Sequence, residues 1–225
     1  MIAGSYTALR IPEADTLIRA HLAEIRDAVR AAVPPRFHAG TVLFGGYGRG
    51  EGGVQDTQHG VRPHNNYDLL VVVRHANRLV QKWLRRRLGP VSRGLGARLG
   101  VGVDLSLLPD SALDSAPAQI FWYDVRRMHR IVDGPEDLME RIPAYSQQDI
   151  PGEEQARLLL NRATLLAINR WILDVHGPQA TPKHLRTLRK HTVKAILGYG
   201  DAVLLAAGEY EVSYRAKPDA LARVE

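Results

Sequence analysis

The spacing of apolar residues in the first part of the chain predicts one helix and then strands. Ile18, Leu22, Ile25, Val29 and Ala32 recur at alternating steps of four and three, which is one face of a helix over residues 12–33. Pro12 suits a first helical turn, and Pro34-Pro35 stops the helix. The run Thr41-Val42-Leu43-Phe44 reads as a strand closed by Gly45-Gly46. Tyr67 to Val73 reads as a second strand, and its near-continuous apolar run after Asp68 predicts burial on both faces. Residues 76–88 read as a basic helix, with a Gly-rich link behind it. A third strand follows over Val101 to Leu108, closed by Pro109. A short helix around Phe121 to Arg127, an extended piece at Arg130-Ile131-Val132 and a turn at Asp133-Gly134-Pro135 complete this part.

From about residue 152 the pattern becomes helical throughout. Leu158, Leu165, Ile168 and Ile172 form one face of a helix over 153–175. Thr181-Pro182 is an N-cap followed by Pro at the first helical position, opening a second helix to about Ala207. The expected organisation is an α/β (α+β) domain over residues 1–145 and a helical domain over 146–225. The residues after Gly208 carry no clear pattern.

Composition narrows the chemistry. The 225 residues include no Cys, which excludes a disulfide scaffold, an iron–sulfur cluster, a thiol nucleophile and zinc held by thiolates. None of the nine His residues stands at metal-ligand spacing, so no zinc is expected. The net charge is +6, and 25 of the 30 basic residues are Arg, whose forked guanidinium matches phosphate geometry. The N-terminal MIAGSYTALRIPEAD has no apolar targeting core, and no stretch approaches the roughly 18 apolar residues of a membrane span. The expected location is the cytoplasm, with no membrane partner.

Three features stand together. The first strand ends in the turn Gly45-Gly46-Tyr47-Gly48-Arg49-Gly50-Glu51, whose glycines allow backbone N–H groups close to a phosphate. The second opens with Asn66-Tyr67-Asp68, where positions two apart share a face. The third carries a lone acid, Asp104, between apolar neighbours, where burial is costly unless the acid is paired or metal-bound. Oxygen ligands beside a phosphate cradle suit Mg²⁺ and phosphoryl or nucleotidyl transfer with one or two metals.

These residues resemble the nucleotidyltransferase superfamily, the DNA polymerase β-like fold, and within it the minimal and kanamycin-type branch. The match lies in Leu43-Phe44-Gly45-Gly46, the following Arg49-Gly50-Glu51, then Asn66-Tyr67-Asp68-Leu69, then Val103-Asp104-Leu105. The resemblance implies a small mixed sheet with flanking helices and a C-terminal helical domain that helps hold an acceptor. It implies an enzyme that moves a nucleoside monophosphate from an NTP to a hydroxyl, with Mg²⁺. Gly45 and Gly46 would hold the β- and γ-phosphates, with Arg49 a further phosphate contact. Asp68 and position 66 would bind metal, and Asp104 would complete the site and act as general base. The acceptor stays open among a small molecule, an RNA 3′ end and a protein.

Two departures qualify this. Nineteen residues separate Gly46 from position 66, so residues 52–64 read as an inserted loop, with His59, Arg62 and His64 near phosphate or acceptor. Position 66 is Asn where the family has an acid, which keeps an oxygen but loses a charge worth several kcal/mol to a two-metal site. Either the chain is a deliberately inactivated variant, with the family's Asp replaced by Asn to trap a bound nucleotide, or it is a naturally degenerate member that binds without catalysis. Both imply weak or no transfer activity. The alternative reading is a non-catalytic nucleotide- or RNA-binding protein, such as one partner of a toxin–antitoxin pair.

Other patterns carry less. Gly48-Arg49-Gly50-Glu51-Gly52-Gly53 fits the dinucleotide-binding spacing, but polar residues rather than a helix follow it. No Lys-Ser/Thr pair follows the glycines, so the turn is not a P-loop. Arg186 and His191 match the Arg-x4-His spacing of HEPN-type ribonucleases, against the plainer reading of an acceptor-facing or solvated helix. Arg85-Arg86-Arg87, with Arg93 and Arg98, reads as a solvated face or a track for a nucleic-acid backbone. Trp83, Trp122 and Trp171 are expected in the core.

Overall fold

The computed structural model describes residues 4–58 and 60–224. His59, placed near phosphate or acceptor on sequence grounds, lies outside the described residues. The elements are α1 (Pro12–Ala32), β1 (His38–Phe44), α2 (Gly45–Gly48), β2 (Val54–Thr57), β3 (Gly60–Pro63), β4 (Tyr67–Val73), α3 (Arg78–Leu99), β5 (Val103–Pro109), α4 (Ser111–Asp114), α5 (Ile120–Arg127), β6 (Arg130–Asp133), α6 (Gly152–His176), α7 (Pro182–Ala207) and α8 (Lys217–Leu221). The protein is a mixed α/β (α+β) chain with one small mixed sheet and one two-stranded sheet.

It divides into two compact units. Met1–Pro117 with Asp124–Ala144 form one, and Ala118–Tyr123 with Tyr145–Glu225 form the other. The second unit holds α6, α7 and α8 together with the short segment 118–123.

In the α/β unit the sheet order is β5-β4-β1-β6. β4 and β5 are parallel, while β1 runs antiparallel to both β4 and β6. β4 is central, and its Leu69 to Val73 are buried on both faces, as its continuous apolar run requires. Ile18, Leu22, Ile25 and Val29 of α1 and Leu84, Leu88 and Leu95 of α3 pack on Leu43, Tyr67, Leu69, Val71 and Val73. Asp15 ties the N-terminal segment to α1 by accepting from Ser5 Oγ at 3.0 Å and Tyr6 N–H at 2.8 Å.

Three expectations are corrected here. The helix predicted to stop near 88 continues to Leu99 through Gly89, Pro90, Gly94 and Gly96. Leu84, Leu88 and Leu95 keep helical spacing across that stretch, and their burial outweighs propensity costs of roughly 1 kcal/mol per Gly. Pro90 lies on the exposed face, where the carbonyl it frees can bond water. Residues 52–64 are not a plain loop, because β2 and β3 pair there as a hairpin from Val54↔Pro63 to Thr57↔Gly60. Trp83 and Trp171 are exposed rather than in the core.

In the helical unit α6 and α7 fold back on each other. Asn169, buried in their seam, donates to Leu188 O at 3.0 Å and Thr192 Oγ1 at 3.1 Å, and its Oδ1 lies 3.0 Å from His191 Nδ1. Of the expected core stripe of α6, Ile172 is buried, Leu158 and Leu165 are half-buried and Ile168 is exposed. The patternless C-terminal stretch holds α8. Its buried Lys217 bonds Asp201 of α7 at 2.5 Å and lies 4.2 Å from the Tyr214 ring centre.

Candidate functional site

The site is built at one end of β1, β4 and β5. Phe44 pairs with Asp68 across β1 and β4, and Asp68 pairs with Asp104 across β4 and β5. Paired residues on neighbouring strands point to the same face, about 4.8 Å apart. The register therefore places the two acids side by side, while Tyr67 between Asn66 and Asp68 turns to the buried helix side.

Asn66 reaches the same cluster, and its Nδ2 donates to Asp104 Oδ2 at 2.9 Å. That bond turns its Oδ1 toward Gly102, where a Cβ would fall 2.5 Å from the oxygen. Gly102 is thus the residue that leaves room for Asn66. To present its oxygen toward the acids the amide would have to rotate and give up the bond to Asp104. Asp104 is exposed, at the edge strand of the sheet. Asp104 therefore bears no burial cost and needs no compensating charge. Among the described residues Asp104 has no Arg or Lys partner.

The glycine turn lies directly against Asp68. Gly45 has φ +66°, and a Cβ there would sit 2.6 Å from Asp68 Oδ2. Only glycine meets both demands, a left-handed backbone and close approach to a carboxylate. Gly45 opens the single helical turn α2, whose first backbone N–H groups have no partner within the helix. Arg49 N–H bonds Gly45 O at 3.0 Å and Glu51 N–H bonds Gly46 O at 2.8 Å, which closes the turn. The side chain of Arg49 meets Glu51 Oε2 at 3.3 Å, with only 13% and 6% of the two side chains exposed. Arg49 is therefore engaged within the turn itself.

Tyr47 is a site residue that sequence reasoning missed. Its buried hydroxyl donates to Gly53 O at 2.7 Å and accepts from His64 N–H at 3.1 Å and Asn65 N–H at 3.3 Å. Those groups flank both ends of the β2–β3 hairpin. Asn65 adds a clamp by accepting from Gly53 N–H at 2.6 Å. One phenol thus fixes the base of the hairpin and the approach to Asn66. Burial pushes its pKa above the ordinary tyrosine value, despite the opposing backbone bonds from Asn65 and His64, so it stays a donor. Its ring packs on Tyr67, with ring centres 5.0 Å apart. Tyr67 OH in turn meets His21 Nδ1 at 3.0 Å, and burial holds that imidazole below its ordinary value. The signal available in the sequence was an aromatic residue inside a run of glycines, which has no structural use unless its ring is packed.

Arg62 does not join the acids. It lines, with His21 and Arg98, a cleft of about 350 Å³ that includes neither Asp68 nor Asp104. His64 enters the site through its backbone N–H. Arg186 is exposed while His191 is held in the α6–α7 seam, so the pair does not share a helix side. Five residues at 100° each place them about 140° apart.

Among the described residues no group of three or more His, Cys, Asp or Glu could hold a metal ion. With Asn at 66 the donor set is two carboxylates. That set fits one Mg²⁺, which is usually held by one or two carboxylates together with substrate phosphates and water. It does not fit a three-carboxylate, two-metal site. No helix among the described residues is long and apolar enough to cross a membrane. No family model matches the chain, and no curated protein matches it in sequence.

Proposed function

We propose that this chain binds a nucleoside triphosphate with one Mg²⁺ at the Gly45-Gly46 turn and the Asp68–Asp104 pair. The observation that carries the reading is the in-register pairing of Asp68 with Asp104 beside a left-handed Gly45 where a Cβ would collide with the Asp68 carboxylate. The resemblance to minimal nucleotidyltransferases supplies the reaction class, transfer of a nucleoside monophosphate to a hydroxyl of an acceptor. Asp68 and Asp104 would hold the cation, which neutralises phosphate charge when bound. The N–H groups at Gly45 and Gly46 would orient the β- and γ-phosphates. Asp104, open to solvent, would accept the proton of the acceptor hydroxyl as that oxygen attacks the α-phosphorus and pyrophosphate leaves.

In this chain transfer is weak or absent. Asn66 contributes no charge, and its amide already occupies one oxygen of Asp104. That bond favours the second reading for the chain as it stands: a nucleotide-binding protein with a silenced transferase site, suited to a role as one component of a toxin–antitoxin pair. Calorimetric titration of each NTP, with and without Mg²⁺, tests the binding claim. Mg²⁺-dependent binding that is lost in Asp68→Ala supports it. Binding that ignores both Mg²⁺ and Asp68→Ala contradicts it.

A further inference from the structure

The charge of α3 is one-sided. Its 22 residues carry seven Arg or Lys and no Asp or Glu. Arg98 pairs with Glu24 of α1. The other six, Arg78, Lys82, Arg85, Arg86, Arg87 and Arg93, are exposed and have no acidic partner among the described residues.

Their placement follows from the helix period. Leu84, Leu88 and Leu95 face the core. Lys82, Arg86 and Arg93 fall within about 40° of one another on the opposite side, flanked by Arg78 and Arg85 on one edge. On the other edge stands Trp83, 41% exposed, with the Arg87 guanidinium 4.8 Å from its ring centre. The stripe from Arg78 to Arg93 is about 22 Å long at 1.5 Å per residue. The C-terminal half of α3 lies against the start of β5, on the sheet face opposite to the one that carries Asp68 and Asp104. There Ser92 Oγ bonds Val103 O at 2.5 Å, next to Asp104.

We infer that the outer face of α3 is a docking surface for single-stranded nucleic acid, independent of whether the chain transfers nucleotides. A row of unpaired cations with no acid among them complements a phosphodiester backbone. An exposed indole with a stacked guanidinium is a platform for an unpaired base, and a duplex hides its base faces. A membrane surface fits less well. A helix lying in an interface needs a continuous apolar face, and the apolar face of α3 is already spent on the core.

Fluorescence anisotropy with labelled oligouridylate and oligothymidylate of about ten nucleotides tests this. Six phosphate contacts predict a slope near −4 in log affinity against log salt, so affinity falls roughly three-hundred-fold from 50 to 200 mM salt. The triple substitution Arg85→Gln, Arg86→Gln, Arg87→Gln lowers that slope by about 2. Trp83→Ala weakens binding about tenfold and leaves the slope unchanged. Equal affinity for the two oligomers assigns recognition to the backbone and base faces, and tighter uridylate binding adds the 2′-hydroxyl. Either result supports the inference. The inference is overturned by no binding at 50 mM salt, by a flat slope in the unsubstituted chain, by an unchanged slope in the triple variant, or by tighter binding to phosphatidylserine vesicles than to either oligomer.

Discussion

Replacing Tyr47 by Phe removes one oxygen and leaves the ring. The ring keeps its place, packed on Tyr67 and against Gly52, where a Cβ would fall 2.0 Å from it. What is lost is the joint acceptor of His64 N–H and Asn65 N–H and the donor to Gly53 O. His64 N–H keeps a second bond to Gly53 O at 3.0 Å, so it is not orphaned. Asn65 is exposed and its N–H can turn to water. The net loss is therefore one to two ordinary hydrogen bonds, about 1–2 kcal/mol, rather than the full penalty of three buried orphans. The loss is local, since the bonds hold the base of the β2–β3 hairpin and not the four-stranded sheet. Native-state hydrogen exchange reads it directly. Amides of the hairpin and of residues 64 and 65 exchange roughly five- to thirtyfold faster in Tyr47→Phe, while β4 amides change less than twofold. Unchanged exchange at residues 64 and 65, or equal acceleration across β4, refutes the hairpin-clamp argument.

Three further outcomes follow from the same geometry. Lys217→Met strands the buried Asp201 carboxylate and lowers stability by about 3–5 kcal/mol in urea unfolding, whereas Lys217→Met with Asp201→Leu recovers most of it; equal losses in the single and double variants contradict a paired burial. Gly45→Ala forces a Cβ toward Asp68 and a left-handed backbone on alanine, so it lowers the thermal midpoint and weakens Mg²⁺ binding measured by calorimetry; unchanged affinity denies the contact a role. Burial holds the His21, His38 and His129 imidazoles below their ordinary value, so the unfolded chain takes up protons first as pH falls below about 6.5. Stability is then flat above about pH 7.5 and declines below 6.5. A thermal midpoint that rises on acidification through that window contradicts this.

The parts of the fold legible in the sequence are those where one physical term dominates. The face of α1, the doubly buried β4 and the Thr181-Pro182 start of α7 each follow from spacing or capping alone. The full length of α3 is not legible in the sequence, because Gly89, Pro90, Gly94 and Gly96 oppose three widely spaced leucines and only tertiary burial tips the balance to helix. The candidate acids are legible from their types and spacing, but their register is not: that Asp68 lies opposite Asp104 is decided by strand pairing. The same holds for Tyr47 and Gly102, whose roles rest on contacts 6 to 36 residues away. The hairpin at 54–63 has no tight two-residue turn signature beyond Gly60, so its pairing was invisible to local reading.

The central claim is that Asn66 silences an otherwise assembled transferase site. Pyrophosphate release by Asn66→Asp against the unsubstituted chain, with Mg²⁺ and each NTP, tests it most directly. A third carboxylate beside Asp68 and Asp104 supplies the missing charge and frees the Asp104 oxygen now bonded by the amide. Release rises at least about a hundredfold, near 3 kcal/mol of barrier, and the gain vanishes in Asp104→Asn. Equal turnover by the two forms contradicts the claim.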